Sequence, residues 1–134
     1  MANFMKPYSG QTYALMRIVT GGLFLCHGLS LLFHFPTAPP PEAPPFVIYG
    51  AGSIELVAGT LVAIGLLTRW AAFIASGLMA VAYWLAHGTK ALLPIENQGE
   101  LAVLYCFVFL FMACRGGGKW SLDGTNPLNN PSSD

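Results

Sequence analysis

Four apolar stretches divide the sequence, and each is about as long as a membrane-spanning helix. They lie near residues 12–35, 47–67, 69–89 and 98–115, close to the ~20 residues that cross a hydrocarbon core of ~30 Å. None alternates apolar and polar residues as a membrane β-strand does. Because lipid offers no hydrogen-bond partners, the stretches are predicted to be helices. The expected fold class is all-α, an integral membrane bundle of four transmembrane helices.

The connections between these stretches carry clear turn signals. Residues 36–45 hold six prolines in ten positions, which predicts a stiff, extended loop after the first helix. Residues 65–69 predict a tight turn between the second and third helices, and residues 94–98 close the third connection. Asn97 is the predicted N-cap of the last helix.

Composition supports the membrane assignment and removes other classes of function. The chain is 54% hydrophobic and 9% charged, against about 25% charged residues in soluble domains. Its formal net charge is zero, so a nucleic-acid partner is not expected, and the lipid bilayer is the expected surrounding. Three cysteines without CxxC spacing indicate neither a zinc site nor a disulfide framework. We expect one membrane domain over residues 1–123 and a disordered polar tail at 124–134.

Basic residues are distributed unequally between the two sides of this four-span topology. Only Lys90 falls on one side. The others fall on the opposite side: Lys6, Arg17, Arg69, Arg115 and Lys119. The positive-inside rule then predicts a multi-pass protein of the inner (plasma) membrane with both termini cytoplasmic. Arg17, in the inner half of its helix, is expected to snorkel toward the head groups.

Ionisable side chains within the predicted spans are few, and they converge on one level. A charged group at the centre of a helix costs about 2.5–3.5 kcal/mol, so each needs a partner or a purpose. Glu55 and His27 each lie roughly 12 Å below the outer end of their helix. His87 and Glu100 flank the third connection, in the same outer half. We expect a polar pocket in which Glu55 and His27 exchange protons with a bound redox-active lipid or small phenol.

Structural explanations of the same residues remain open. Polar side chains commonly join membrane helices through hydrogen bonds. Gly52, Glu55 and Gly59 share one helical face, which places the acid on a small-residue seam. Tyr83 and Tyr105 are candidates to flank a ring-shaped ligand, although packing alone accounts for many such aromatics. No metal site is predicted, because the Glu-x-x-His motif of di-metal bundles does not occur.

Several short motifs resemble the DoxX family of small four-span bacterial membrane proteins over nearly the whole chain. They are Arg17 with Gly21 and His27-Gly28; Gly52-x-x-Glu55-x-x-x-Gly59; Gly65-Leu66-Leu67-Thr68-Arg69 with Ala71-Ala72; Met79-Ala80-Val81-Ala82-Tyr83 through His87; Asn97-Gln98-Gly99-Glu100 with Tyr105; and Trp120-Ser121-Leu122-Asp123. The resemblance implies membrane redox chemistry involving quinones. The chain keeps the family pattern at Glu55, Glu100 and Ser121-Leu122-Asp123. It departs from that pattern at Leu78, where relatives often carry an acid, and at Leu29-Ser30-Leu31-Leu32, where many have a lysine.

The function expected from residues and resemblance together is a membrane component of quinone-linked oxidoreduction. Glu55 and His27 are the proton-exchanging pair, and the ligand-binding candidates are Glu100, His87, Tyr83 and Tyr105. No intrinsic cofactor is expected, since no Gly-rich nucleotide loop occurs, and a quinone is the candidate ligand. The alternative is a non-catalytic scaffold or anchor subunit of a redox complex, or a small-solute or lipid transporter. The expected partner is a redox protein or further copies of the chain.

Overall fold

The structure, a computed structural model, describes residues 4–125, and within that range it contains helices and no strands. Its helices are α1 (Ser9–Phe33), α2 (Gly52–Ile64), α3 (Thr68–Ala86), the single turn α4 (Pro94–Asn97) and α5 (Glu100–Arg115). Short 3-10 turns lie at Lys6–Tyr8 and Asp123–Thr125, and a π-helical stretch, Val47–Ala51, leads into α2. The polar tail expected at 124–134 lies, beyond residue 125, outside the described residues.

Within residues 4–125, three helical segments are long and apolar enough to cross a membrane. They are Lys6–Phe33 with 28 residues, Val47–Ile64 with 18 and Thr68–Ala86 with 19. Helix α5 has 16 residues and is therefore about 24 Å long, less than the ~30 Å of the hydrocarbon core. Large apolar side chains remain exposed on these helices, such as Leu23 at 53% and Phe73 at 58%. Such surfaces face lipid in a membrane protein.

Helix ends depart from the expected positions where single residues adopt left-handed backbone. The second helix ends at Ile64 instead of near 67, because Gly65 has a φ of 72°. The last helix begins at Glu100 instead of 98, since Gln98, with a φ of 60°, ends α4. The prediction that Asn97 is the N-cap of α5 is wrong. Gly99 holds that position, and the Asn97 side chain accepts a hydrogen bond from the Gly99 N–H (2.8 Å).

Helices α1 and α2 pack at backbone contact through facing glycines. A Cβ added at Gly28 would lie 2.4 Å from the backbone nitrogen of Leu56, and one at Gly59 would lie 2.5 Å from that of Leu25. Helix α3 packs chiefly against α5, while α2 joins the two pairs. The predicted small-residue seam is confirmed, and Glu55 lies on it between the two contacts.

One end of the bundle is tied together by Arg17, which is fully buried. Its Nη1 donates to the carbonyl oxygens of Val62 (2.7 Å) and Ala63 (2.6 Å), and its Nη2 donates to that of Trp120 (2.6 Å). The guanidinium thus satisfies carbonyls that the end of α2 leaves open. The predicted snorkelling of Arg17 is wrong, because the segment after α5 folds over the side chain and its carbonyls replace water.

The same segment supplies the N-terminal cap of α3. The two carboxylate oxygens of Asp123 accept the N–H groups of Leu67 and Thr68, each at 2.8 Å. Burial acts to raise the pKa of Asp123, but hydrogen bonds from Thr68 and Leu67 and the charge of Arg17 outweigh it and hold the pKa below its usual value. We call this end, formed by the start of α1, the α2–α3 turn and residues 116–124, the basic end.

Candidate functional site

A cavity of about 290 Å³ lies toward the opposite end, among α1, α2, α3, α5 and the loop before α5. It is lined by Phe24, His27, Glu55, Met79, Ala82, His87, Gln98, Leu101, Ala102 and Tyr105. We call it the Glu55 cavity. Four of the six residues predicted for the site line it, namely His27, Glu55, His87 and Tyr105.

Glu55 is the acid of this cavity, and one of its oxygens has no hydrogen-bond partner among residues 4–125. Its side chain is 7% exposed, and the buried Oε2 atom accepts no hydrogen bond from any residue between 4 and 125. An unsatisfied buried acceptor costs about 1–3 kcal/mol, and more when it is charged. A carboxyl group kept at this cost beside a cavity is suited to receive a hydrogen bond or a proton from a ligand.

His27 reaches the same cavity from the neighbouring helix. The contact of Gly28 with the backbone of Leu56 and Gly52 brings this part of α1 level with Glu55. The imidazole is exposed rather than buried, and it still contributes to the cavity wall. The shared depth predicted for His27 and Glu55 therefore brings them to one cavity, with His27 at its outer side.

An aromatic wall closes the cavity on the α1–α5 side. The ring centroids of Phe24 and Tyr105 lie 5.8 Å apart, and Phe109 packs behind both, at 4.7 Å from Phe24 and 5.7 Å from Tyr105. Phe24 and Phe109 are fully buried. The wall offers flat apolar surface with one phenol hydroxyl, the arrangement that an aromatic ligand packs against.

His87 is oriented by the loop that precedes α5. Its Nδ1 lies 2.9 Å from the carbonyl oxygen of Asn97, and because a carbonyl only accepts, Nδ1 carries a proton. The Asn97 amide in turn donates to Tyr83 Oη (3.1 Å) and to the Ala91 carbonyl (3.0 Å). In the neutral imidazole, Nε2 is then left as an acceptor.

Two predicted ligand-binding residues do not line the cavity. The ring of Tyr83 stacks on that of His87 with centroids 6.5 Å apart, and its hydroxyl accepts a hydrogen bond from the Asn97 amide. Tyr83 therefore packs against the His87 imidazole without lining the cavity. Glu100 is exposed and shares a face of α5 with Leu104 and Phe107, which are 61% and 64% exposed. Its place at the start of α5, one position before Leu101, turns it away from the cavity.

Sequence reasoning overlooked several lining residues. Phe24 lies one turn before His27, and its face could have been inferred from that spacing. Met79 and Gln98 occur in the family motifs without an assigned role, and the left-handed backbone of Gln98 carries no distinct sequence signal.

Over residues 4–125 no cluster of three or more His, Cys, Asp or Glu side chains has metal-binding geometry.

These features define a helical membrane protein with a buried carboxyl group beside an aromatic-walled cavity. Residues 12–88 match the profile of the DoxX family, and the chain belongs to that family. It is similar to an "Uncharacterized protein" of Haemophilus influenzae, with 37% identity over 127 residues that cover 90% of this chain and 95% of that protein. No solved structure matches the chain significantly.

Proposed function

We propose that this membrane protein binds a quinol or related phenol in the Glu55 cavity, as a component of quinone-linked oxidoreduction. The observation that carries the proposal is the Oε2 atom of Glu55, which is buried against a cavity with an aromatic wall and accepts no hydrogen bond from residues 4–125. A ligand hydroxyl directed at that oxygen supplies the hydrogen bond that residues 4–125 leave open.

The size and lining of the cavity favour a single aromatic ring. Its volume of about 290 Å³ is at the lower limit of small-molecule sites, which span ~300–1,000 Å³. A ring packs against Phe24 and Tyr105 while one hydroxyl meets Glu55. A long isoprenoid tail is too large for the cavity and extends from it into the surrounding lipid.

The chemistry proposed for the chain itself is proton transfer. Oxidation of a quinol to a quinone releases two protons and two electrons. Glu55 accepts one proton, and an imidazole, His27 or the free Nε2 of His87, accepts the other. The electrons pass to the redox centre of a partner oxidoreductase, which this proposal requires.

The proposed setting is the inner membrane, with both termini in the cytoplasm. Arg69, Arg115 and Lys119 lie at the basic end and Lys90 lies at the other, which supports a cytoplasmic basic end under the positive-inside rule. The Glu55 cavity then belongs to the outer half of the bilayer.

The test is quinone binding to purified wild-type protein and to Glu55→Gln. The amide keeps the size of the side chain but removes its charge and basicity. We expect affinity for a short-chain ubiquinone or menaquinone analogue in its reduced form to fall about 10- to 100-fold, since a hydrogen bond to a charged group contributes about 1.5–3 kcal/mol. Titration in nanodiscs measures this. Glu96→Gln, an exposed acid outside the cavity, is the matched control.

Equal affinity of wild type and Glu55→Gln would remove Glu55 from the proposal. If neither protein binds the analogue, and a redox protein co-purifies stably from gently solubilised membranes, the scaffold function is favoured instead.

A further inference from the structure

A second, larger cavity opens at the basic end of the bundle. This cleft, of about 1390 Å³, lies between the start of α1, the α2–α3 turn and the segment that follows α5. It shares no lining residue with the Glu55 cavity. We call it the basic cleft.

The charge of its lining is predominantly positive. Arg69, Arg115 and Lys119 line the cleft, and Asp123 is the one acid among its described lining residues. Both oxygens of Asp123 already accept backbone N–H groups of the α2–α3 turn. No carboxylate of residues 4–125 forms a salt bridge with the three basic groups, so the described lining of the cleft carries an excess of positive charge.

The side chains of Arg115 and Lys119 pack against α1, and their hydrogen-bond donors stay open among the described residues. The guanidinium of Arg115 lies 4.6 Å above the ring centroid of Tyr13. The aliphatic stem of Lys119 passes Gly10, where an added Cβ would lie 3.1 Å from it. Neither head group donates a hydrogen bond to an atom of residues 4–125. Arg69 differs, because it donates to the carbonyls of Ala113 and Cys114 and offers the cleft mainly its charge.

Exposed indole rings at the cleft indicate a position at the level of the lipid head groups. Trp70 and Trp120 both line it and are 72% and 61% exposed. Tryptophan concentrates at the membrane–water interface, where its ring lies among head groups and its N–H stays hydrated. A basic pocket between helices at this level is a typical site for an anionic lipid head group.

We propose that the basic cleft binds the phosphate group of an anionic phospholipid, with Arg115 and Lys119 as hydrogen-bond donors and Arg69 as a supporting charge. The acyl chains of the lipid run along the exposed apolar faces of the neighbouring helices. This site does not depend on the function proposed for the Glu55 cavity.

The test is a lipid titration of the full chain in detergent, followed by native mass spectrometry. Phosphatidylglycerol is compared with phosphatidylcholine, and inorganic phosphate is added as a competitor. Each basic residue near an anionic surface contributes about fivefold in affinity, so Arg115→Gln/Lys119→Gln is expected to bind phosphatidylglycerol about 25-fold more weakly. Lys90→Gln, at the other end of the bundle, is the control and changes affinity less than twofold.

Preferential retention of phosphatidylglycerol, lost in the double variant and kept in Lys90→Gln, supports the site. If the double variant does not fold, Lys119→Gln alone is expected to weaken binding about fivefold. Displacement by millimolar inorganic phosphate would overturn the lipid assignment in favour of free phosphate. Equal binding of both lipids, or equal loss in Lys90→Gln, would overturn the site altogether.

Discussion

Asp123 caps a helix that begins 55 residues before it in the chain. A usual N-cap is the residue next to the helix, and its side chain satisfies one open N–H group. Here the cap comes from the segment after α5, and each oxygen of one carboxylate takes one N–H group. Two N–H groups at the start of α3 are therefore satisfied by tertiary structure rather than by a local signal.

Replacing this carboxylate tests its contribution and its pH dependence. We expect Asp123→Asn to destabilise the fold by about 1 kcal/mol at pH 7, because the amide keeps only one acceptor for the two N–H groups. Since the pKa of Asp123 is lowered by folding, its stabilisation is complete above the unfolded value of about 3.9 and is lost as the pH falls through the lower folded value. Thermal unfolding in detergent measures both effects.

The difference in stability between wild type and Asp123→Asn should therefore narrow as the pH falls below about 4. Glu42→Gln, in the exposed proline-rich loop, is the control and should leave stability unchanged at both pH values. A difference that stays constant from pH 7 to pH 3 would contradict the ionised cap.

At the level of single residues, sequence predicted what depends on local spacing. Glu55 could be assigned to the seam because its glycine neighbours lie three and four residues away. Arg17 could not be assigned correctly, since its carbonyl partners Val62 and Trp120 are 45 and 103 residues distant. Hydropathy records an arginine inside an apolar helix, but it contains no information on which segment will cover that side chain.

At the level of elements, the α1–α2 contact holds two walls of the Glu55 cavity at a fixed separation. Glycines let the two backbones meet, and such close approach is a common basis of association between membrane helices. His27 and Glu55 stand at the same level because Gly28, next to His27, meets the backbone of Leu56, next to Glu55. A larger side chain at the seam should therefore disturb the helix pair and the cavity together.

Gly28→Ala should destabilise the protein by about 1–3 kcal/mol, because its Cβ would lie 2.4 Å from the backbone of α2. Gly22→Ala is a matched control on the same helix. A Cβ at Gly22 meets nothing within 4 Å, so this change should be neutral or slightly stabilising. Thermal unfolding of both variants measures the difference in their stability. Similar unfolding midpoints would show that α1 and α2 can move apart at the seam without loss of stability.

Element boundaries were less predictable than the elements themselves. Apolar stretches indicate where a helix lies, but its last turn depends on a few backbone angles. Positive φ at Gly65 and Gln98 moved two ends by two or three residues from their expected positions. A glycine in the sequence signals that a positive φ is available at that position. A glutamine adopts a positive φ only when its neighbours in the structure require it.

At the level of the whole molecule, the two ends of the described chain meet at the basic end. The hydroxyl of Tyr13, near the start of α1, donates to the carbonyl of Gly116, which follows α5. If α1, α2 and α3 each cross the bilayer, α5 must cross it too in order to return there. Its length of about 24 Å is then supplemented by the helical turn α4 on the opposite side.

Topology mapping tests this fourth crossing. Fluorescent-protein reporters fused at either terminus should both be active in the cytoplasm, and a cysteine in place of Thr37 in the proline-rich loop should react with impermeant reagent from outside. Four crossings place both termini on one side, whereas three place them on opposite sides. Reporters that indicate opposite sides would contradict the four-span topology.

Composition and apolar length sufficed to predict an all-helical membrane protein, because the bilayer restricts what such a chain can form. The cavity was predictable in part, through residues that share a depth and a face. Glu100 fell outside it because depth alone does not fix which way a side chain points around its helix. That direction is set by packing against α3, which the sequence does not display.

The bonds from residues 119–123 to Arg17 and to the start of α3 also impose an order on biosynthesis. Residues 119–123 are synthesised after the three helices that they hold together. The hydrogen bonds that close the basic end can therefore form only after the last helix has been translated.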